Sequence, residues 1–187
     1  MSVRGTLSHH RLIRTAVALS AATVLASSLS ACSGDDEPAA KNYTVPTTLC
    51  GVTVDPAQVK ALLPGGDSFS SASSKPNSGT TRCDLFVDGD KASMRLTQTW
   101  WDRLDTGFGV SGAYSGTNGA ETTDDYRFAW TGTAGVGKTS SCTSSKHPDM
   151  RLFAIIQAFD PSIDDKAAMK TLINSYTESV DKSAACE

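Results

Sequence analysis

Apolar and polar positions fall into two rhythms along the chain. In "DPAQVKALLPGG", Val59, Leu62 and Leu63 recur at helical spacing and both ends are marked. Asp55 stands at the cap, Pro56 takes the first helical position, and Gln58 sits where a capping box places its second member. Pro64-Gly65-Gly66 then stops the helix. In "TTRCDLFVDGDKASMRLTQTW" the period drops to two. Cys83, Leu85 and Val87 alternate, Asp88-Gly89 turns the chain, and Ala92, Met94 and Leu96 alternate back, which predicts a hairpin. "DYRFAW" and "MRLFAIIQAF" predict further strands. "SIDDKAAMKTLINSYTESVDK" returns to helical spacing through Met169, Leu172, Ile173, Tyr176 and Val180. The expected fold is α+β: an antiparallel sheet packed by a short N-terminal helix and a longer C-terminal helix.

The first residues follow neither rhythm. Arg4, Arg11 and Arg14 flank or precede "TAVALSAATVLASSLSA", and no acid occurs before Asp35. A basic start, a short apolar run and small residues mark a secretory signal over residues 1–31. The run is too short and too rich in Ser and Thr for a good membrane span. Without an adjacent arginine pair, the general secretion route is expected rather than twin-arginine export. The run ends in "LSAC", Leu29 to Cys32, which resembles the lipobox of bacterial lipoproteins. That resemblance implies a diacylglycerol on the Cys32 thiol, and two or more acyl chains hold a protein stably on a membrane. Residues 32–45, "CSGDDEPAAKNYTV", are polar and acidic and are expected to form a flexible tether. One domain follows, residues 46–187.

Loss of the signal removes three of 17 basic residues and none of 20 acids, so the formal charge moves from −3 to −6. That balance disfavours nucleic acid, which rewards basic patches. It also disfavours electrostatic docking on anionic lipid.

Four cysteines lie in the domain: Cys50, Cys83, Cys142 and Cys186. An even number in an exported chain implies two disulfides, with three possible connectivities. Elements close in sequence are usually neighbours in space, so Cys50–Cys83 and Cys142–Cys186 are expected. None of the spacings is a C-x-x-C knuckle, and His147 is the domain's one histidine, so no metal site is expected.

Two stretches imitate nucleotide sites. "GTAGVGKT", Gly132 to Thr139, fits G-x-x-x-x-G-K-[ST], and "LFAIIQAFD" supplies an acid-ended apolar run. A phosphate loop must open a helix whose N–H groups hold the phosphates. Here "TSSCTSSKHPD" follows, rich in poor helix formers and broken by Pro148. "GFGVSG", Gly107 to Gly112, fits G-x-G-x-x-G, yet "AYSGTNGAETTDD" follows it, so a glycine-rich loop is expected. Neither nucleotide nor cofactor is expected.

Other chemistry is sparse. Asp84, Asp88 and Asp90 lack the EF-hand spacing, and Asp88-Gly89-Asp90 is accounted for by the turn. A Ser-His-Asp triad would need His147, and no G-x-S-x-G elbow is present. No catalytic residue is assigned; an envelope hydrolase using His147 is the alternative. Trp100, Trp101, Phe108, Tyr114, Tyr126, Phe128 and Trp130 could stack on a sugar or peptide. Most are expected in the core, with Trp100 and Trp101 forming the candidate ligand platform.

The lipobox, the tether, "LCG" at Cys50, "RCD" at Cys83 and the terminal "SAACE" at Cys186 resemble the small cell-envelope lipoproteins of actinobacteria, many of them domains of unknown function. The resemblance implies a non-catalytic protein on the outer face of the cytoplasmic membrane, held there by its lipid. In a Gram-negative cell, Ser33 after the lipid cysteine would instead suggest the outer membrane. The expected function is a lipid-anchored binding or scaffold module whose partner is an envelope protein, a lipid or a wall polymer.

Overall fold

A computed structural model describes residues 39–186. Cys32, the signal segment and the first part of the tether lie outside the described residues. The elements in chain order are β1 (Thr48–Leu49), β2 (Val52–Thr53), α1 (Pro56–Ala61), β3 (Phe69–Asn77), β4 (Thr80–Val87) and β5 (Ala92–Asp102). They continue with α2 (Gly107–Ser111), β6 (Glu121–Thr122), β7 (Phe128–Trp130), β8 (Ala134–Lys138), β9 (Met150–Ala158) and α3 (Lys166–Asp181). β1 and β2 form a small ribbon; the other strands form one antiparallel sheet in the order β3-β4-β5-β9-β8-β7-β6. The fold is thus mixed, with a large antiparallel sheet and three helices among the described residues. None of these helices is long and apolar enough to cross a membrane.

The two apolar rhythms become two burial patterns. β4 and β5 form the hairpin, with Cys83 opposite Leu96 and Leu85 opposite Met94. Beside β5 lies β9, the last strand in sequence and central in the sheet, with Leu96 opposite Ile156. On one face of this sheet lies α3, whose Met169, Leu172, Ile173, Tyr176 and Val180 are all buried. Asp165 caps α3 by accepting the Ala168 N–H at 2.9 Å. Alternation brings Gln98 to the same face, where its amide reaches the buried Tyr176 hydroxyl at 3.5 Å. The opposite face carries a smaller cluster of Val110, Val136, Phe153 and Ile155, with Trp101 and Tyr114 packed against it.

Asp55 caps α1 by accepting the Ala57 N–H at 2.9 Å, and Pro56 opens the helix. Val59, Leu62 and Leu63 are fully buried. Gln58 departs from expectation. Its side-chain oxygen accepts from the Ser175 hydroxyl of α3, so it joins two helices instead of closing a capping box.

Three segments differ from the sequence expectation. β8 occupies the phosphate-loop pattern, and β3 is a nine-residue edge strand that no apolar rhythm announced. "GFGVSG" holds one turn of helix, α2, with Thr106 as its cap and Val110 buried beneath it. The expected tether is also docked at its end. Asn42 N–H donates to the Gly66 carbonyl at 2.8 Å and Gly66 N–H to Ala40 at 2.9 Å. Tyr43 and Val45 are buried, and the Tyr43 hydroxyl donates to the Pro64 carbonyl at 2.6 Å. The packed domain therefore includes residues 40–45, because two large side chains there lose apolar surface to the core.

Candidate functional site

The phosphate-loop imitation has a packing cause. β8 alternates small and large: Val136 faces the smaller cluster, while Gly135 and Gly137 face α3. A Cβ on Gly135 would lie 2.9 Å from Ile173 Cβ. One on Gly137 would collide with Thr177 Oγ1 and lie 2.8 Å from Phe128 Cε1. The glycines let a helix approach the sheet closely. Lys138 points elsewhere, its Nζ donating to the Arg103 and Asp105 carbonyls at 2.6 Å each. Asp160, the acid ending the apolar run, accepts the Ser162 N–H at 2.8 Å in the turn before α3.

The other acids are similarly engaged. Asp88 accepts the Asp67 and Ser68 N–H groups, at 2.9 and 2.7 Å. Those bonds from Asp67 and Ser68 hold its carboxyl below the usual range. Asp84 pairs with Arg95 at 2.6 Å. Cys50–Cys83 and Cys142–Cys186 are both bonded. Cys142, Asp181 and Cys186 gather within 4.8 Å, but the two sulfurs are joined to each other. Asp181 accepts the N–H groups of Ser140, Ser141 and Cys142 instead of offering its carboxylate to a metal.

A groove of about 680 Å³ opens at the end of β5 on the face away from α3. Antiparallel pairing builds its floor: Thr80 lies opposite Thr99, and Arg82 opposite Thr97. The Thr80 and Thr99 hydroxyls are 2.9 Å apart. Trp101 and Tyr114 form one wall, and the β3–β4 turn, Asn77 to Gly79, forms the other. Burial raises the Tyr114 pKa, opposed by hydrogen bonding from Trp101, the charge of Arg82 and hydrogen bonding from Thr99. Trp100, His147 and Met150 close the end.

The two candidate tryptophans both line this groove, yet strand alternation sends them to opposite faces. Trp101 packs with the smaller cluster. Trp100 packs against the main core and stacks on the His147 ring, with centroids 4.9 Å apart and planes inclined by 21°. The Trp100 backbone N–H donates to the Gly79 carbonyl at 3.0 Å, which fixes the β3–β4 turn against the groove. Among the described residues the His147 ring hydrogen-bonds to neither a serine nor a carboxylate; its backbone N–H donates to Ser144. Of the other aromatics, Phe128 and Trp130 are buried. Phe108 and Tyr126 are exposed, their rings 6.1 Å apart.

Arg82, Thr97 and Thr99 are among the lining residues that the sequence reading passed over. A signal for them existed. In a hairpin whose Cys83, Leu85, Met94 and Leu96 face the core, Arg82, Thr97 and Thr99 must share the other face. Comparison with protein-family models, curated proteins and solved structures yields no match.

Proposed function

We propose that this chain is an exported lipoprotein, anchored through Cys32, whose domain is a non-catalytic binding module on the outer face of the cytoplasmic membrane. In a Gram-negative cell, Ser33 after the lipid cysteine directs the same reading to the outer membrane. The observation that carries the binding reading is the groove at the end of β5. It combines partly buried aromatic rings with hydroxyls and one cation, the mixture that fixes a polar ligand while covering its apolar faces. The stacking of His147 on Trp100 supports a place for this residue in the aromatic lining. α3 and its packing on β8 hold the sheet, and the groove lies on the other face, away from α3.

A photocrosslinking residue at Ser78, in the turn beside the groove, tests this in native membranes. Exposed Glu178 on α3 serves as the control position. The expected result is a discrete envelope-derived adduct from position 78 and none from 178. The same adduct from both positions, or none from 78, overturns the binding reading. Retention of the mature chain on membranes after Cys32→Ser overturns the anchoring.

A further inference from the structure

The groove is basic within an acidic protein. The chain carries 20 acidic residues, yet among the described residues no Asp or Glu lines this groove, while Arg82 and His147 do. By contrast the depression beside the β4–β5 turn carries Asp88, Asp90 and Asp160. Among the described residues Arg82 also lacks a partner. Its cross-strand neighbours are Thr97 and Ser74, and among the described residues it makes no ion pair or side-chain hydrogen bond. Two residues along β4 from Arg82, Asp84 neutralises the comparable cation, Arg95 of β5. A guanidinium held in a concave surface without a carboxylate offers planar, paired N–H groups to an outside anion.

The surroundings say what carries that anion. Thr97 is only 2% exposed, and among the described residues its hydroxyl makes no hydrogen bond. Thr97 stands in the groove lining. Thr99 and Thr80 add paired hydroxyls. Beside them stand the Trp101 and Tyr114 rings, which suit the apolar face of a sugar. An inorganic anion would use Arg82 and leave the rings idle. A neutral apolar ligand would leave the arginine and Thr97 unpartnered in a partly dried site.

Resting on the binding reading above, we infer that the groove takes an acidic glycan. Its saccharide ring lies against Trp101 and Tyr114, its hydroxyls meet Thr97 and Thr99, and its carboxylate or phosphate pairs with Arg82. The shared chemistry is an anionic substituent on a sugar ring, probed with a uronic-acid carboxylate.

The test titrates the full chain in detergent micelles with trigalacturonate, with neutral galactotriose and with inorganic phosphate. The indole N–H resonance of Trp101 is the readout, assigned through Trp101→Phe. Trigalacturonate is expected to shift it, with affinity falling about 10- to 100-fold in Arg82→Gln, the range for losing a charged hydrogen bond. Arg82→Lys should recover part of that loss, and added salt should weaken the wild type more than Arg82→Gln. Phosphate should bind more weakly than trigalacturonate and compete with it. If phosphate proves the tighter ligand, or leaves trigalacturonate undisplaced, the joint site is wrong. Equal affinity for trigalacturonate and galactotriose, or affinity unchanged in an Arg82→Gln variant that melts like wild type, overturns the acidic-glycan inference. That outcome leaves the binding reading standing if the position-78 adduct is still seen. No shift with any probe at millimolar concentration overturns the inference as well.

Discussion

Gly137→Ala separates a packing glycine from a phosphate-binding one. The added methyl would meet Thr177 Oγ1 and the Phe128 ring, the latter at 2.8 Å, where real Cβ contacts stay beyond 3.0 Å. Neither neighbour can swing away. Thr177 is fully buried, with its hydroxyl donating to the Ile173 carbonyl at 2.6 Å. Phe128 is 6% exposed and has the Arg127 guanidinium 4.8 Å from its ring centroid. Overpacking costs about 1–3 kcal/mol, and two rigid neighbours put this site near 3. Melting should fall by roughly 10 °C, at about 2–4 °C per kcal/mol for a domain near this size. Urea unfolding followed by far-ultraviolet circular dichroism measures the loss. Thr177→Ala removes the nearest obstacle, so Gly137→Ala should cost about 1 kcal/mol in that background, a coupling within the range seen for touching residues. Gly89→Ala is the control: its nearest neighbour would be 4.0 Å from the new methyl, and the change should stay within about 0.5 kcal/mol. A loss below about 0.5 kcal/mol for Gly137→Ala, or single effects that simply add, refutes the packing explanation. A melting point raised by ATP would restore the phosphate reading.

The remaining expectations are separate tests. Each disulfide closes a loop, of 33 and 44 residues of separation, so the chain-entropy relation gives about 4 kcal/mol apiece. Cys142→Ser with Cys186→Ser should therefore lower the urea midpoint markedly, and non-reducing peptide maps of the native chain should show no Cys50–Cys186 peptide. Burial raises the Asp181 carboxyl pKa, but N–H donation from Ser141, Cys142 and Ser140 outweighs it and leaves the pKa lowered. A lowered folded-state pKa stabilises above the ordinary carboxylate value of about 3.9, and that contribution is lost as the pH falls through the lowered one. Asp181→Asn should thus destabilise by about 1 kcal/mol at pH 7, with the difference from wild type vanishing in melts run toward pH 2. Cys32→Ser should move the protein from the membrane fraction to the soluble one, or leave an unprocessed precursor, as seen by fractionation and intact mass.

What could be read from the sequence depended on whether burial showed itself as hydrophobicity. α3 and the β4–β5 hairpin bury apolar side chains at a fixed period, β9 is one continuous apolar run buried on both faces, and each was legible. β8 also has period two, but its helix-facing positions are Gly135 and Gly137, where closeness demands absence of a side chain. The rhythm is present in size and missing in polarity. β3 is exposed along almost all its length and carries no apolar signal. Lys75 and Pro76 near its end suit an edge that must avoid pairing with another chain. Tyr43 and Val45 were hidden because two buried residues in a polar run set no period at all.

The groove follows from the same rule as the core. Alternation that turns Leu96 and Gln98 toward α3 turns Thr97 and Thr99 the other way. Over β8 and β9 that second face is covered by α2 and buries Val136, Phe153 and Ile155. Over β4 and β5 the residues are Arg82, Thr97 and Thr99, which a hydrophobic cover would leave desolvated. The short α2 and the loop reaching Tyr114 stop at this boundary, and the groove is the step they leave. Its shape thus derives from a change of polarity across one sheet face. A longer apolar cover would have to remove Arg82 and Thr97 first, so the cation and the opening belong to one arrangement.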